Sequence, residues 1–202
     1  MINISLGVWL LWLIAMPTAP KKQVLHYTVM GKGDSIGYLT VQREVHGDRI
    51  RYRSLNETQV SMLKSFHIRH ELEAVYEADI LRYSEVIVQV NNNQHHHSEI
   101  KWDGNQYLVY KEGEKTDSIQ KPVQFSSIHL YFHEPKEHTH VFSEQFGMWQ
   151  PIDRVAEASS EYILDKKKNK NKYRYQNGRM TYAEMGHWLM STELHLSGKD
   201  SS

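Results

Sequence analysis

Apolar and polar side chains alternate with a period of two along most of this 202-residue chain. That periodicity is the feature that most limits its fold, because it puts one face of each extended segment in a core and the other in water. In "QVLHYTVM" (23–30), Leu25, Tyr27 and Val29 alternate with Val24, His26, Thr28 and Met30. The glycine-rich "GKGDS" turns the chain into "IGYLTVQREV" (36–45), and "HGDR" turns it again into "IRYRSLNETQVSML" (50–63). Two hairpins with glycine-bearing turns so early in the chain predict antiparallel pairing.

The pattern persists in "FHIRHELEAVYE" (66–77), "ILRYSEVIVQV" (80–90), "SEIKWD" (98–103) and "QYLVYKEG" (106–113). It returns in "SEYILD" (160–165), "KYRYQNG" (172–178), "RMTYAEM" (179–185) and "HWLMSTELHL" (187–196). Asn177-Gly178 is the strongest two-residue hairpin signal in the chain, since both residues tolerate positive φ. "LEAVYEADIL" (72–81) has helical propensity, but Phe66, Ile68 and Leu72 keep even spacing, so a strand is favoured. One short helix is expected in "PVQFSSIHLYFHEP", capped by Ser126 or Ser127 and stopped by Pro135; a bare strand 128–132 is the rival reading. The fold class is therefore all-β: a strongly curved antiparallel sheet or half-open barrel of about ten strands, bent because a flat sheet that wide exposes long edges.

Residues 1–19 carry no charged side chain, and the apolar run 6–16 has the length of a signal-peptide core. Pro17 and Pro20 close it short of the roughly 20 residues that a spanning helix needs. The expectation is a signal peptide over 1–19, a single β domain over 20–202, and an exported product, periplasmic or extracellular. Lysine plus arginine and aspartate plus glutamate number 24 each, so no basic surface argues for nucleic acid. With no cysteine there is neither a disulfide nor a thiolate site.

Two segments carry candidate metal ligands. In "NNNQHHHSE" (91–99), a loop at Asn91–Asn93 precedes a strand that would place His95 and His97 on one face with Glu99. In "HEPKEHTHVFSE" (133–144), His138 and His140 alternate. Four imidazoles would suit zinc, copper or nickel only if the segments met, and a ligand set beside an Asn-rich loop lacks orienting neighbours, so no metal or cofactor is assigned. No Gly-x-Ser-x-Gly elbow, phosphate loop or dinucleotide fingerprint is present, and Glu71 with Glu73 reads as a solvent face; no catalytic residue is assigned. Aromatic rings recur through nearly every strand. On the concave side of a curved sheet they would enclose a groove for a lipid or other apolar molecule. A metal-binding protein or metal-dependent enzyme, and a structural or interaction module contacting envelope proteins, are the alternatives.

The stretch "SSIHLYFHEP…VFSEQFGMWQPI…YILDKKKNKNKYRYQNGRM" resembles a family of small exported bacterial proteins of unknown function, which is distantly similar to the curved-sheet lipoprotein carriers (LolA-like). The resemblance implies an envelope location and a half-barrel whose groove holds a short helix or an acyl chain. It carries over Glu134 and Pro135 at the helix exit, Glu144 and Gly147 in a turn, and Tyr173, Tyr175, Asn177 and Gly178 in the closing hairpin. Their implied role is structural, with the carboxylate satisfying loop amides and glycine taking positive φ.

Overall fold

The computed structural model describes residues 21–61, 65–166, 169–186 and 191–198; the expected leader, Trp188 and the centre of the 165–172 charge run fall outside these. Eight strands come first: β1 (Lys21–Gly31), β2 (Asp34–His46), β3 (Arg49–Ser61), β4 (Ser65–Glu77), β5 (Ile80–Val90), β6 (Asn93–Trp102), β7 (Tyr107–Lys111) and β8 (Glu114–Ile119). A 3₁₀ turn, Ser127–Tyr131, follows. The chain ends with β9 (His140–Ser143), β10 (Met148–Arg154), β11 (Glu161–Lys166), β12 (Asn169–Gln176), β13 (Arg179–Met185) and β14 (Thr192–Leu196). No helix among the described residues is long and apolar enough to cross a membrane.

All fourteen strands join one curved antiparallel sheet in the order β8-β7-β6-β5-β4-β3-β2-β1-β14-β13-β12-β11-β10-β9. The all-β expectation holds, but the strand number exceeds the ten or so expected. The additional strands have physical reasons to be inconspicuous. β8, "EKTDSI", is an edge strand exposed along five of its six residues, so it shows no apolar face. β9 spans four residues, and β10 contains Pro151, which a central strand would exclude.

Five hairpin turns carry two consecutive residues at positive φ: Lys32-Gly33, Ala78-Asp79, Asn91-Asn92, Glu112-Gly113 and Asn177-Gly178. This turn geometry matches the twist of the flanking strands. The Asn177-Gly178 expectation is met. Asn91 to Asn93, by contrast, is a tight turn at Asn91-Asn92 with β6 already begun at Asn93, because asparagine enters the left-handed region at little cost.

The core lies inside the curve. Leu25, Tyr27 and Val29 of β1, Leu39 and Val41 of β2, and Tyr52 of β3 point inward, and the 3₁₀ turn inserts Ile128 and Leu130 among them. Phe125, His129 and Phe132 complete an aromatic cluster, with Tyr76 edge-on to His129 at 4.6 Å between ring centroids and Tyr52 at 4.8 Å. The β8–β9 gap has no ladder. There the β9–β10 turn packs back on β6 and β7 instead: Ser98 Oγ donates to Glu144 O, His96 Nε2 meets Gln145 O at 3.2 Å, and Gly147 lies against Val109.

Candidate functional site

Glu144 leaves β9 at the start of this closing turn, and its side chain runs under the N-terminus of the 3₁₀ turn. Its carboxylate accepts from Ser126 Oγ (2.5 Å), Ser127 Oγ (2.6 Å), Ser127 N (3.2 Å) and Ile128 N (3.3 Å). Tyr76 OH donates to Ser126 Oγ at 2.6 Å, and Ser126 N donates to His129 Nδ1 at 3.2 Å. Burial raises the Glu144 carboxyl above its ordinary range, against the pull of the Ser126 and Ser127 hydroxyls. Burial also drives His129 down to about 3, reinforced by His133 and Arg43, so its imidazole is neutral at physiological pH. Gly147 closes the same turn at φ +64, and a Cβ there would lie 2.7 Å from Val109 Cγ1.

The other motif positions gather at the far side of the plug. Glu134 N donates to Gly178 O at 3.0 Å, so the helix exit is tied to the β12–β13 turn, while Pro135 is buried beside it. Tyr162 OH donates to Glu134 Oε1 at 3.0 Å and accepts from Arg154 Nη2 at 2.7 Å. Tyr173 OH accepts from Asn171 Nδ2 at 3.1 Å, and burial pushes its phenol up to about 12. Tyr175 stacks edge-on to Tyr162, but its buried hydroxyl has no partner among the described residues. Asn171 itself is buried, although it stands in the lysine-rich run "DKKKNKNK" (165–172).

The histidine segments separate. The β5–β6 ladder steps from Val88↔His96 to Gln89↔Gln94, so His95 is the extra residue of a bulge and does not share a site with His97. His97 Nε2 lies 3.0 Å from Glu85 Oε1, and Glu85, His97 and Glu99 offer ligand atoms within 4.8 Å of one another on the outer face. Lys101 Nζ already sits 2.9 Å from Glu99. His138 stacks on Phe125 with ring centroids 3.9 Å apart, and His140 bonds the adjacent Thr139. The two segments form no shared ligand set among the described residues.

Two hollows remain. The larger, about 550 Å³, is an open depression on the outer face whose charges are already paired, Arg53 with Glu73 at 3.0 Å and Arg69 with Glu71 at 2.7 Å. The smaller, about 340 Å³, lies inside the curve beyond Ser127 and Tyr131, toward the β3–β4 end of the sheet. Val29, Leu39, Val60, Leu164 and Leu194 give it an apolar wall, and Ser54, Asn56, Thr58, Gln150 and Asn171 interrupt that wall. Among the described residues that line it, none is Asp, Glu, Lys or Arg. Asn56 stands opposite Leu39 on one side and His70 on the other, and its Oδ1 is buried without a hydrogen-bond partner among the described residues. No motif pointed to Asn56. The signal was a polar run, Ser54, Asn56 and Thr58, at the inward positions of a strand that also turns Tyr52 and Val60 inward.

Comparison with known proteins gives the fold a relative. A crystal structure of a β-barrel-like protein of the domain of unknown function DUF1849 from Brucella abortus superposes with a TM-score of 0.58 at 13% identity, covering 89% of this chain and 96% of that one. At that identity the likeness shows a shared architecture. No curated protein matches the sequence. The family model described as a domain of unknown function, DUF6134, matches residues 27–197, from the first core strand to the end of β14. The chain therefore belongs to the DUF6134 family.

Proposed function

We propose that this is an exported, non-enzymatic binding protein that holds a lipid or other apolar molecule inside its curved sheet, in the manner of the LolA-like carriers. The observation that carries this is the interior cavity of about 340 Å³, an apolar-walled space that the 3₁₀ plug leaves unfilled. It falls in the size range of small-molecule sites, roughly 300–1,000 Å³, and a large concave face is where a curved sheet accepts ligands. The leader-like residues 1–19 support an envelope location. Glu134, Pro135, Glu144, Gly147, Tyr173, Tyr175, Asn177 and Gly178 are assigned structural roles: their contacts fix the plug and the closing turn, and Tyr173 also lines the cavity.

The test is to express the whole gene product, purify it after fractionation, and extract it for mass spectrometry, with N-phenyl-1-naphthylamine titrated into the delipidated protein. A stoichiometric co-purified lipid and saturable probe fluorescence are expected from an envelope fraction. A cytosolic product, or neither lipid nor saturable binding, overturns the proposal.

A second reading, a metal-binding protein, is favoured by the convergence of Glu85, His97 and Glu99 on adjacent strands, with Glu85 directly opposite Glu99 in the ladder. One imidazole and two carboxylates suit zinc. Zinc titration calorimetry of the wild type and of Glu85→Gln decides it, since heat of equal size from both removes the site.

A further inference from the structure

The polar groups of the interior cavity specify more than an apolar occupant. Resting on the reading above, we propose that the cavity takes a neutral amphiphile, a single alkyl chain ending in an uncharged group with an O–H or N–H, and that Asn56 receives that hydrogen.

Size comes first. At ~30 Å³ for each water-sized group, about 340 Å³ holds about eleven of them. That suits one medium-length chain. Charge comes second. None of the described lining residues is a lysine or arginine, so a carboxylate or phosphate brought inside would be desolvated with no permanent cation to meet it, His70 being the one described side chain of the wall that can take up a positive charge. An aspartate or glutamate is equally missing, which leaves a cationic head unpaired. The head group that suits this lining is uncharged.

The orphaned acceptor comes third. Asn56 sits at the middle of an inward-facing row that runs Leu39, Asn56, His70, Val88 across β2 to β5. Its buried Oδ1 meets no donor from the described protein. Buried acceptors are nearly always satisfied, because an unmade hydrogen bond forfeits the water that was stripped away. A ligand hydroxyl or amide that arrives at Asn56 supplies the missing donor, while an ester end supplies only another acceptor. A polar residue in the centre of a buried strand face is costly to the fold on its own, and a bound head group gives it a purpose.

The experiment displaces N-phenyl-1-naphthylamine from the purified protein with four ten-carbon ligands: 1-decanol, decanamide, methyl decanoate and decanoate. The alcohol and amide are expected to displace the probe at concentrations at least ten-fold lower than the ester and the carboxylate. In Asn56→Leu the ester should bind as well as the alcohol, with the probe still held. Equal displacement by all four ligands, or an alcohol preference that survives in Asn56→Leu, overturns the head-group assignment and leaves the cavity reading standing. Absence of any saturable probe binding overturns both. If Asn56→Leu does not fold, the order of the four ligands on the wild type decides the question by itself.

Discussion

Mild acid should destabilise this protein through His129. The imidazole lies against Tyr52, Tyr76 and Phe125, accepts from Ser126 N, and is held down to about 3 mainly by burial, whereas in the unfolded chain it titrates near 6.5. The sign follows from proton counting. Between pH 6.5 and about 3 the unfolded chain binds a proton that the folded one refuses, so stability is whole above 6.5 and declines as the pH falls. From pH 7 to pH 5 this amounts to about 2 kcal/mol. His133 and His138, also lowered by burial, act in the same direction, while the raised carboxyl of Glu144 acts in the opposite one. The perturbation is therefore His129→Asn, which keeps an acceptor near Ser126 N and removes the titrating group. Urea unfolding at pH 7 and pH 5 measures both proteins. The variant is expected to be less stable overall, but its pH difference should shrink by about 2 kcal/mol relative to the wild type. The same pH difference in both proteins would refute the assignment of acid sensitivity to this side chain.

Further outcomes follow from the same geometry. Gly147→Ala should cost roughly 2–3 kcal/mol, from positive φ and from contact with Val109; a double-mutant cycle with Val109→Ala should recover part of it, and strict additivity argues against the clash. Ala78→Gly, at φ +48 in the β4–β5 turn, should stabilise by about 1 kcal/mol, raising Tm by about 2–4 °C; an unchanged or lower Tm contradicts this. Tyr175→Phe removes a buried hydroxyl that has no partner among the described residues and should leave stability equal or up to about 1 kcal/mol higher. Tyr27→Phe breaks the bond to Met180 O and should cost about 1 kcal/mol. The reverse order in thermal unfolding would show that the two hydroxyls are misassigned.

The meander from β1 to β7 was legible because each strand writes its burial in alternation, and Asn177-Gly178 because a turn's backbone demands are local. β8 was not, because a strand exposed along nearly all its length has no face to reveal. His95 was misplaced because a bulge is a property of the pair of strands, and β6 alone cannot show it. Glu144 was picked out by motif, but its partners Ser126 and Ser127 come from a segment that the folded chain brings to it, through the Ser126↔Phe142 bridge. The cavity was half visible. Ser54, Asn56 and Thr58 stand at inward positions of β3, yet what faces Asn56, Leu39 on one side and His70 on the other, is set by the register of the two flanking hairpins. Two-residue periodicity predicts which side of a strand faces in; what waits there depends on pairing.

The first strand does not lie at a border of the sheet. β1 has β2 on one flank and β14 on the other, with Tyr27 facing Leu196. β1 thus keeps an unfilled edge until β14 has been synthesised, and among the described residues the β9–β14 half is tied by ladder to the β1–β8 half only there. That ladder must wait for β14, and pairing across such a span is slow. A chain cut short before Thr192 would lose far more than one strand: the ladder between its two halves would go, leaving each with a raw border ready to adhere to a stranger.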